Sequence, residues 1–287
     1  MKPLPFQQNR PLKELTTFGI GGLAKYWQDV RSIPEMQNAL MICRESNLPY
    51  FILGKGSNCL FDDQGFDGVI LVNKIDFFEH PSPEIFHIGA GYSFSLLGTQ
   101  TARQGWSGLE FASGIPGSVG GAVFMNAGAN GRETCESLVS VDFVDDQGML
   151  KQIHKSELLF SYRHSSFQTM AGAIVGATFM LTPSATARAK QLEIIAYRTK
   201  TQPYGEMSAG CIFKNPTCGH AGALIEQSGL KGMSIGDAQV STLHANFIVN
   251  KGSATAKDVH ALIAHIKKEV KAKTKIDLES EVRYITS

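Results

Sequence analysis

The stretch that decides the fold is Ser113-Gly-Ile-Pro-Gly-Ser-Val-Gly-Gly-Ala-Val-Phe-Met-Asn-Ala-Gly-Ala129. Its glycines adopt positive φ freely and let a backbone approach a ligand closely. Successive exposed N–H groups on such a loop form a concave nest for an anion, and Pro116 stiffens the loop by fixing one φ. Two interpretations are open: a phosphate-binding loop, or a tight turn that leads into a buried Ala-Val-Phe-Met segment.

A second glycine loop lies earlier in the chain. Tyr50-Phe-Ile-Leu53 predicts a short buried strand, and it runs directly into Gly54-Lys-Gly-Ser-Asn58. Open α/β sheets bind ligands at the carboxyl ends of their strands. No helix with a third glycine follows, so the dinucleotide fingerprint is not met, and the P-loop pattern is absent as well.

Composition narrows the function class. The chain has 287 residues, enough for one large domain or two to three smaller ones. It is 43% hydrophobic and 18% charged, which is ordinary for a globular protein. The formal net charge of +1, without a basic block, argues against a nucleic-acid partner.

The termini and the cysteines indicate a cytoplasmic protein. The amino terminus lacks the apolar core of a signal peptide, and the longest apolar run, 171–181, is too short to span a bilayer. We therefore expect no membrane partner. The cysteine count is odd and no Cys-x-x-Cys pair occurs, so we predict neither a disulfide framework nor a metal site. The pair Cys218-Gly-His220 is weak evidence for a metal ligand set. The cysteines are Cys43, Cys59, Cys135, Cys211 and Cys218.

Short strands and short helices alternate irregularly, which predicts an α+β fold rather than strict βα repeats. Ser32 and Pro34 predict a helix start, and Asp145-Asp-Gln-Gly148 predicts a hairpin turn. Thr255, with Asp258 three residues later, predicts the start of a long helix. The chain ends in a predicted strand over 278–285.

Three segments carry groups suited to chemistry. Ser208-Ala-Gly-Cys-Ile-Phe-Lys-Asn-Pro216 places a thiol, a cation and an amide beside a glycine turn. Its Cys211 has three open interpretations: nucleophile, proton donor or buried small hydrophobe. Tyr162-Arg-His164 is either a surface turn or an anion clamp. Glu279 and Glu281 lie two apart on the predicted terminal strand, so we expect them on one face.

These motifs occur in a specific joint order, which covers nearly the whole chain. They resemble the UDP-N-acetylenolpyruvoylglucosamine reductases, flavoenzymes of bacterial cell-wall precursor synthesis, in their shorter subtype. The motifs are Thr17-Phe-Gly-Ile-Gly-Gly22, Gly54-Lys-Gly-Ser-Asn58, Gly114-Ile-Pro-Gly-Ser-Val-Gly-Gly121, Asn126-Ala-Gly-Ala129, Tyr162-Arg163, Ser208-Ala-Gly-Cys-Ile-Phe-Lys-Asn-Pro216 and Glu279-Ser-Glu-Val-Arg283.

The resemblance implies a fold and a domain organisation. The expected fold is an α+β FAD-binding region of the vanillyl-alcohol-oxidase type, made of two α+β subdomains, with an α+β substrate domain. The subdomains would span 1–75 and 76–184, and the substrate domain 185–275. The terminal strand, 276–287, would return near the site of the first subdomain.

The resemblance also implies that both glycine loops hold the FAD pyrophosphate and that NADPH is the co-substrate. We expect a monomer whose other partner is a UDP-sugar substrate. The predicted cofactor-binding residues are Gly54, Lys55, Gly56, Ser57, Asn58, Gly114, Pro116, Gly117, Ser118, Gly120, Gly121, Asn126, Ala127 and Gly128.

In the reaction of these reductases, NADPH reduces the flavin and the hydride then passes to an enolpyruvyl double bond, giving UDP-N-acetylmuramate. Cys211 matches the proton-donor position, where many members have serine. Arg163 and Glu281 match the positions that stabilise the enol or enolate. Tyr162, Lys214, Asn215 and His244 are the predicted substrate-binding residues, although His244 is equally well explained as a cap at a strand start.

The chain departs from the family pattern at two positions. A thiol has a reference pKa near ~8.5, far below that of an alkyl hydroxyl, so Cys211 in place of serine is compatible with proton donation. Ser280 replaces a common proline, which affects only the stiffness of the terminal strand.

Three alternative functions remain open at this stage. An FAD oxidase of small alcohols or hydroxy acids would keep the fold but lack the 208–216 and 279–283 elements together. A non-catalytic UDP-sugar-binding or flavin-binding regulator would keep the glycine loops and lose the acid and the arginine. A cysteine hydrolase that uses Cys211 would need a base such as His220 or His244 within reach.

Overall fold

Two of the helices begin at the caps that the sequence predicts, Ser32 and Thr255. In the computed structural model, which describes residues 4–286, the Ser32 side chain accepts the amide of Glu35 and Pro34 lies in the first turn. Thr255 and Asp258 form a reciprocal capping box. The helices are α1 (Ile33–Glu45), α2 (Phe94–Arg103), α3 (Val119–Phe124), α4 (Thr134–Ser137), α5 (Ala187–Thr201), α6 (Ala221–Gln227) and α7 (Ala256–Thr274).

Strands are short and intermixed with these helices, which confirms the predicted α+β class. The strands are β1 (Gln7–Pro11), β2 (Leu23–Val30), β3 (Tyr50–Leu53), β4 (Cys59–Phe61), β5 (Phe66–Asn73), β6 (Phe78–Ser82), β7 (Ile85–Gly89), β8 (Trp106–Ser107), β9 (Gly128–Ala129), β10 (Arg132–Glu133), β11 (Leu138–Asp145), β12 (Leu150–His154), β13 (Phe160–Ser161), β14 (His164–Ser165), β15 (Gly172–Met180), β16 (Thr182–Pro183), β17 (Met207–Cys211), β18 (Ser234–Ile235), β19 (Ala238–Val240), β20 (Phe247–Asn250) and β21 (Arg283–Ile285).

The chain divides into two compact units. Unit 1 contains Trp27–Lys55 and Gly68–Arg198 together with the start of the chain. Unit 2 contains Gln7–Tyr26, Gly56–Asp67 and the chain from Thr199 onward. The division into three domains with boundaries at 75, 184 and 275 stays a prediction.

Unit 1 is built on a five-stranded antiparallel sheet in the order β12-β11-β15-β7-β6. The β11–β12 pairing closes at the predicted turn, where Asp145 accepts the amide of Gly148. Helix α3 packs on β15, and its residues Val119 and Val123 are fully buried. The glycine stretch is therefore a loop that leads into a buried helix. In the same unit, β3 and β5 pair in parallel.

Unit 2 is built on a four-stranded antiparallel sheet in the order β17-β20-β19-β18. Helix α7 packs on β18 and β19. The apolar residues of α7 recur at the spacing of a helix with one apolar face, and this face is buried in the core of the unit. The face consists of Val259, Leu262, Ile263, Ile266 and Val270.

The predicted terminal strand over 278–285 is wrong in its extent. Only Arg283–Ile285 forms a strand, which pairs in parallel with β4. The preceding residues make a single isolated bridge, between Ser280 and Phe213. Ser280 pairs with Phe213, whereas Arg283 and the residues after it pair with β4. Side chains on the two sides of Glu281 therefore do not alternate as they would along one continuous strand.

Among residues 4–286, no helix has both the length and the apolar character required to cross a bilayer.

Candidate active site

The loop after β3 offers backbone amides to an anion. Gly56 has φ +63°, and a Cβ there would lie 2.7 Å from the Cα of Thr16. The amides of Lys55, Gly56 and Ser57 donate to no acceptor within the described chain. Adjacent amides left in this state on a glycine turn fit a phosphate group. The Lys55 Nζ donates to Ser93 Oγ at 2.7 Å, and burial lowers the pKa of Lys55.

The loop before α3 uses its amides differently. The amide of Gly120 donates to the carbonyl of Ala90 at 2.8 Å, and that of Val119 donates to the carbonyl of Tyr92 at 2.9 Å. The amide of Gly117 donates to Ile115 within the loop. These bonds fix the loop against the rest of unit 1. The assignment of this loop to the cofactor stays a prediction.

Ser118 lies where the two glycine loops meet in unit 1. Its Oγ caps α3 by accepting the amide of Gly121 at 3.3 Å, and the residue is 3% exposed. A Cβ on Gly54 would collide with this Oγ. Glycine at position 54 is therefore required by close approach to Ser118, not by backbone angle alone.

We expect Gly120→Val to lower the flavin content of the purified protein. A Cβ at this position would lie 3.0 Å from the Ala90 Cβ and 3.2 Å from its carbonyl oxygen, so a larger side chain displaces α3. Overpacking of this kind costs about 1–3 kcal/mol. Flavin absorbance per polypeptide is the measurement. Ala90→Gly should restore part of the loss in a Gly120→Ala background, and no restoration would contradict the contact as the cause.

The side chain of Asn126 forms its hydrogen bonds within unit 1. It is fully buried, and its Nδ2 donates to Glu133 Oε2 at 2.8 Å and to the Ser161 carbonyl at 3.0 Å. Its Oδ1 accepts the amide of Cys135 at 3.0 Å. If Asn126 contacts a cofactor, it therefore does so through its main-chain atoms.

Arg163 lies in a strained two-residue turn of unit 1. Strands β13 and β14 pair with Ser161 opposite His164, so Tyr162 and Arg163 form the loop. Arg163 has φ +57°, in the left-handed region that residues other than glycine seldom adopt. Its Nη2 donates to the Gly128 carbonyl at 3.1 Å, and its Cζ lies 4.8 Å from the Tyr162 ring centroid.

Cys211 lies at a β-bulge of unit 2. Ser208 pairs with Val249 and Cys211 with Phe247, so β17 has one residue more than β20 between these pairs. Gly210 takes up the irregularity with φ +76°. A bulge re-aims the side chain that follows it, and the Cys211 thiol is half-buried.

Thr17 was not assigned a role from the sequence, yet it joins two candidate site segments of unit 2. Its Oγ1 donates to the Ser208 carbonyl at 2.7 Å, and its carbonyl accepts the Ser208 amide at 3.1 Å. Its amide donates to the Gly56 carbonyl at 3.3 Å. The signal in the sequence was its place at the head of the first glycine turn.

Glu281 is held by its main chain beside the Cys211 strand. Its amide donates to the Ile212 carbonyl at 2.7 Å. Asn58 brackets it, because Asn58 Nδ2 donates to the Glu281 carbonyl at 3.3 Å and the Asn58 carbonyl accepts the amide of Arg283. Unit 2 thus brings together Cys211, Asn58 and Glu281, which lie far apart in sequence.

Lys214 is paired with the neighbouring carboxylate of the terminal segment. Its Nζ lies 2.6 Å from Glu279 Oε1, and its amide donates to the Glu279 carbonyl at 2.9 Å. The Glu279 side chain is 73% exposed, so this pair contributes little to stability.

Asn215 and His244 act as caps in unit 2. Asn215 Oδ1 accepts the amide of Ala221 at the start of α6, at 3.0 Å. His244 Nδ1 accepts the amide of Asn246 at 3.3 Å, and its ring lies 5.0 Å from that of Phe247. These contacts match the interpretation of His244 as a cap at a strand start. The substrate-binding role of both residues stays a prediction.

We expect Asn246→Ala to destabilise the protein by about 2–3 kcal/mol, since each buried polar group left unpaired costs about 1–3 kcal/mol. Asn246 is 3% exposed, and its side chain bonds both the amide and the carbonyl of Phe213, at 3.0 and 2.8 Å. Urea unfolding measures the loss. The exposed neighbour Thr242, changed to alanine, is the control, and equal stability of both variants would contradict the prediction.

Comparison with known proteins defines the class. Residues 28–154 match the profile of an FAD binding domain, which confirms the prediction of an FAD-dependent oxidoreductase. Residues 202–285 match the C-terminal domain of UDP-N-acetylenolpyruvoylglucosamine reductase. The chain belongs to the UDP-N-acetylenolpyruvoylglucosamine reductase family.

Curated relatives and a solved structure agree with this assignment. The chain is 64% identical over 283 residues to the UDP-N-acetylenolpyruvoylglucosamine reductase of Protochlamydia amoebophila, covering 99% of this chain and 95% of the relative. It is 49% identical to the reductase of Chlamydia muridarum, with the same coverage. The crystal structure of the Thermus caldophilus reductase matches with a TM-score of 0.84 and 34% identity, covering 98% of this chain and 100% of that one.

Proposed function

We propose that this protein catalyses the NADPH-dependent reduction of UDP-N-acetylglucosamine enolpyruvate to UDP-N-acetylmuramate, a step in peptidoglycan precursor synthesis. The observation that carries the proposal is in unit 2. There the main chain of Glu281 is bonded to Ile212, the residue after Cys211. An acid and a carboxyl group thus lie on adjoining segments, as the protonation of an enolate requires.

The amides of Lys55, Gly56 and Ser57 are the groups that would hold the FAD pyrophosphate, because they lack acceptors in the described chain. Lys55 adds a positive charge to this loop. Bound FAD would supply the hydride chemistry between NADPH and the enolpyruvyl double bond.

Cys211 supplies the proton. When one carbon of the double bond gains a hydride, its neighbour gains an electron pair that is conjugated with the carboxylate. The Cys211 S–H bond breaks, its proton forms the new C–H bond, and a thiolate remains. A thiol, with a reference pKa near ~8.5, gives up its proton far more readily than a serine hydroxyl.

Arg163 and Glu281 stabilise the charge that develops on the substrate carboxylate before this proton arrives. Arg163 provides a fixed cation, which the Gly128 carbonyl orients. Glu281 provides a carboxyl group that, when protonated, can donate a hydrogen bond to the developing oxyanion. Its amide donates to the Ile212 carbonyl and its carbonyl accepts from the Asn58 side chain, and these bonds hold its segment in place. Preorganised groups of this kind lower the barrier because they need no reorganisation during the reaction.

Substrate recognition falls to Tyr162, Lys214, Asn215 and His244. The half-buried Lys214 ammonium suits the UDP diphosphate, with the exposed Glu279 as the group it leaves. We further propose that the protein acts in the cytoplasm as a monomer.

A two-step anaerobic experiment tests the function. NADPH should bleach the flavin absorbance of the purified protein, and UDP-N-acetylglucosamine enolpyruvate should then restore it. Mass spectrometry should find a product with two more hydrogens than the substrate. A bleached flavin that oxygen restores and the enolpyruvyl compound does not would favour the oxidase alternative.

A further inference from the structure

We propose that Gln168 is a positioning residue for Arg163. Its side-chain amide clamps the strained turn that carries Arg163 onto the end of helix α3. The inference rests on the proposed function, in which Arg163 stabilises the developing charge, and it adds a residue that the sequence motifs do not include.

The turn itself does not favour the conformation that Arg163 adopts. A two-residue hairpin loop requires positive φ, for which glycine, asparagine and aspartate are the usual residues. Arg163 has φ +57° and a long side chain that must also reach the Gly128 carbonyl. Such strained residues persist only where their surroundings over-determine them.

Gln168 provides that restraint through two hydrogen bonds. Its Nε2 donates to the Arg163 carbonyl and to the Phe124 carbonyl, both at 3.1 Å. The same nitrogen also lies 3.7 Å from the Met125 Sδ. The two carbonyl oxygens are the nearer acceptors, so the amide nitrogen must face the turn. One bond fixes the peptide of Arg163, and the other fixes the point of attachment.

The attachment point is a rigid part of unit 1. Phe124 is the last residue of α3, where helix carbonyls lack intrahelical partners. The Ser165 hydroxyl donates to the same carbonyl at 2.6 Å, and Asn126 holds the Ser161 carbonyl. The hairpin is therefore tied on both sides of its turn, and Gln168 holds the Arg163 carbonyl directly.

The experiment separates donation from size and from hairpin stability. Gln168→Glu keeps the shape but replaces the donor by a carboxylate, ionised above its reference pKa near ~4.3, which repels both carbonyls. Gln168→Lys keeps a donor. Ser166→Ala is the matched control, because its hydroxyl bonds Leu159 on the same hairpin and does not contact Arg163.

We expect Gln168→Glu to slow flavin reoxidation by the enolpyruvyl substrate by about 10–100-fold, the effect of a small misplacement of a catalytic group. Flavin content and reduction by NADPH should stay within a few-fold of the parent. Gln168→Lys and Ser166→Ala should reoxidise at near the parental rate. If Gln168→Glu does not fold, Gln168→Ala tests the same loss without the repulsion.

Arg163→Ala, measured in parallel, distinguishes the two possible failures. If Arg163→Ala leaves reoxidation unchanged, the proposed role of Arg163 is overturned. If Arg163→Ala slows reoxidation and neither Gln168→Glu nor Gln168→Ala does, the positioning role of Gln168 is overturned. A Gln168→Lys variant as slow as Gln168→Glu would also overturn it, because donation would then not be the property that matters.

Discussion

Replacing Cys211 by alanine is expected to lower overall turnover by about 10²–10⁴-fold, the usual contribution of a positioned acid. The half-buried thiol lies at the bulge of β17, where Gly210 re-aims the side chain. Alanine at this position leaves the substrate carbon without its proton source, whereas reduction of the flavin by NADPH should be nearly unaffected. Stopped-flow absorbance of both half-reactions is the measurement.

Cys211→Ser is the informative control, because a hydroxyl occupies the same place and many family members use one. It should retain substantial activity. If alanine and serine lower turnover equally, the thiol acts through packing and the proton donor lies elsewhere. The exposed Cys218, changed to alanine, should leave turnover at the parental value.

Alkylation of the Cys211 thiol is an independent test of its place in the site. Burial raises the pKa of Cys43 and of Cys59 to about 11, so both remain protonated and unreactive near neutral pH. Cys135 is a further half-buried thiol, so it is replaced together with Cys218. In a Cys135→Ala/Cys218→Ala background, the enolpyruvyl substrate should protect Cys211 from modification more than NADPH does. Equal protection by the two compounds would contradict a place for Cys211 at the substrate carbon.

Arg163→Ala and Glu281→Gln are expected to slow flavin reoxidation by about 10²–10³-fold, the effect of removing one preorganised stabilising group. Arg163→Ala removes a cation at the point where the substrate becomes more negative, and Glu281→Gln replaces an acid that can donate a strong hydrogen bond there by a much weaker acid. Neither residue has been assigned to nicotinamide binding. Reduction by NADPH should therefore stay within a few-fold of the parent. An equal loss in both half-reactions would indicate displaced flavin instead.

Glu279→Gln is the matched control for Glu281→Gln. It lies two residues away on the same segment, its side chain is 73% exposed, and glutamine can still accept the Lys214 ammonium hydrogen bond. We expect reoxidation within a few-fold of the parent. A loss as large as that of Glu281→Gln would mean that charge anywhere on this segment matters, not a specific carboxyl group.

Local signals predicted the elements that depend on neighbours in sequence. The Thr255–Asp258 capping box, the Ser32 cap and the hairpin turn at Asp145–Gly148 were all confirmed. Each depends on contacts within four residues, so the sequence contains all the partners. The terminal strand failed for the opposite reason, because Phe213 and β4 decide where pairing occurs.

The candidate site was predicted as a set of residues but not as an arrangement. The two glycine loops are similar in sequence, yet within residues 4–286 the amides of 55–57 have no acceptor, whereas those of Val119 and Gly120 donate to Tyr92 and Ala90. Gln168 belongs to no motif, and Thr17 lies in a motif without an assigned role. Both side chains donate hydrogen bonds to main-chain carbonyls. Every residue type has such a carbonyl, so a sequence pattern does not reveal these bonds.

The sequence by itself determined the family, the α+β class and the candidate residues, because each motif needs its own residue types at a fixed spacing. Only the tertiary structure decided that the amides of Val119 and Gly120 are bonded within unit 1, that a bulge re-aims Cys211, and that Asn58 brackets Glu281. These features join residues as far apart as positions 58 and 281. Hydrogen bonds and register between distant segments depend on how the chain packs, and a single sequence does not record that packing.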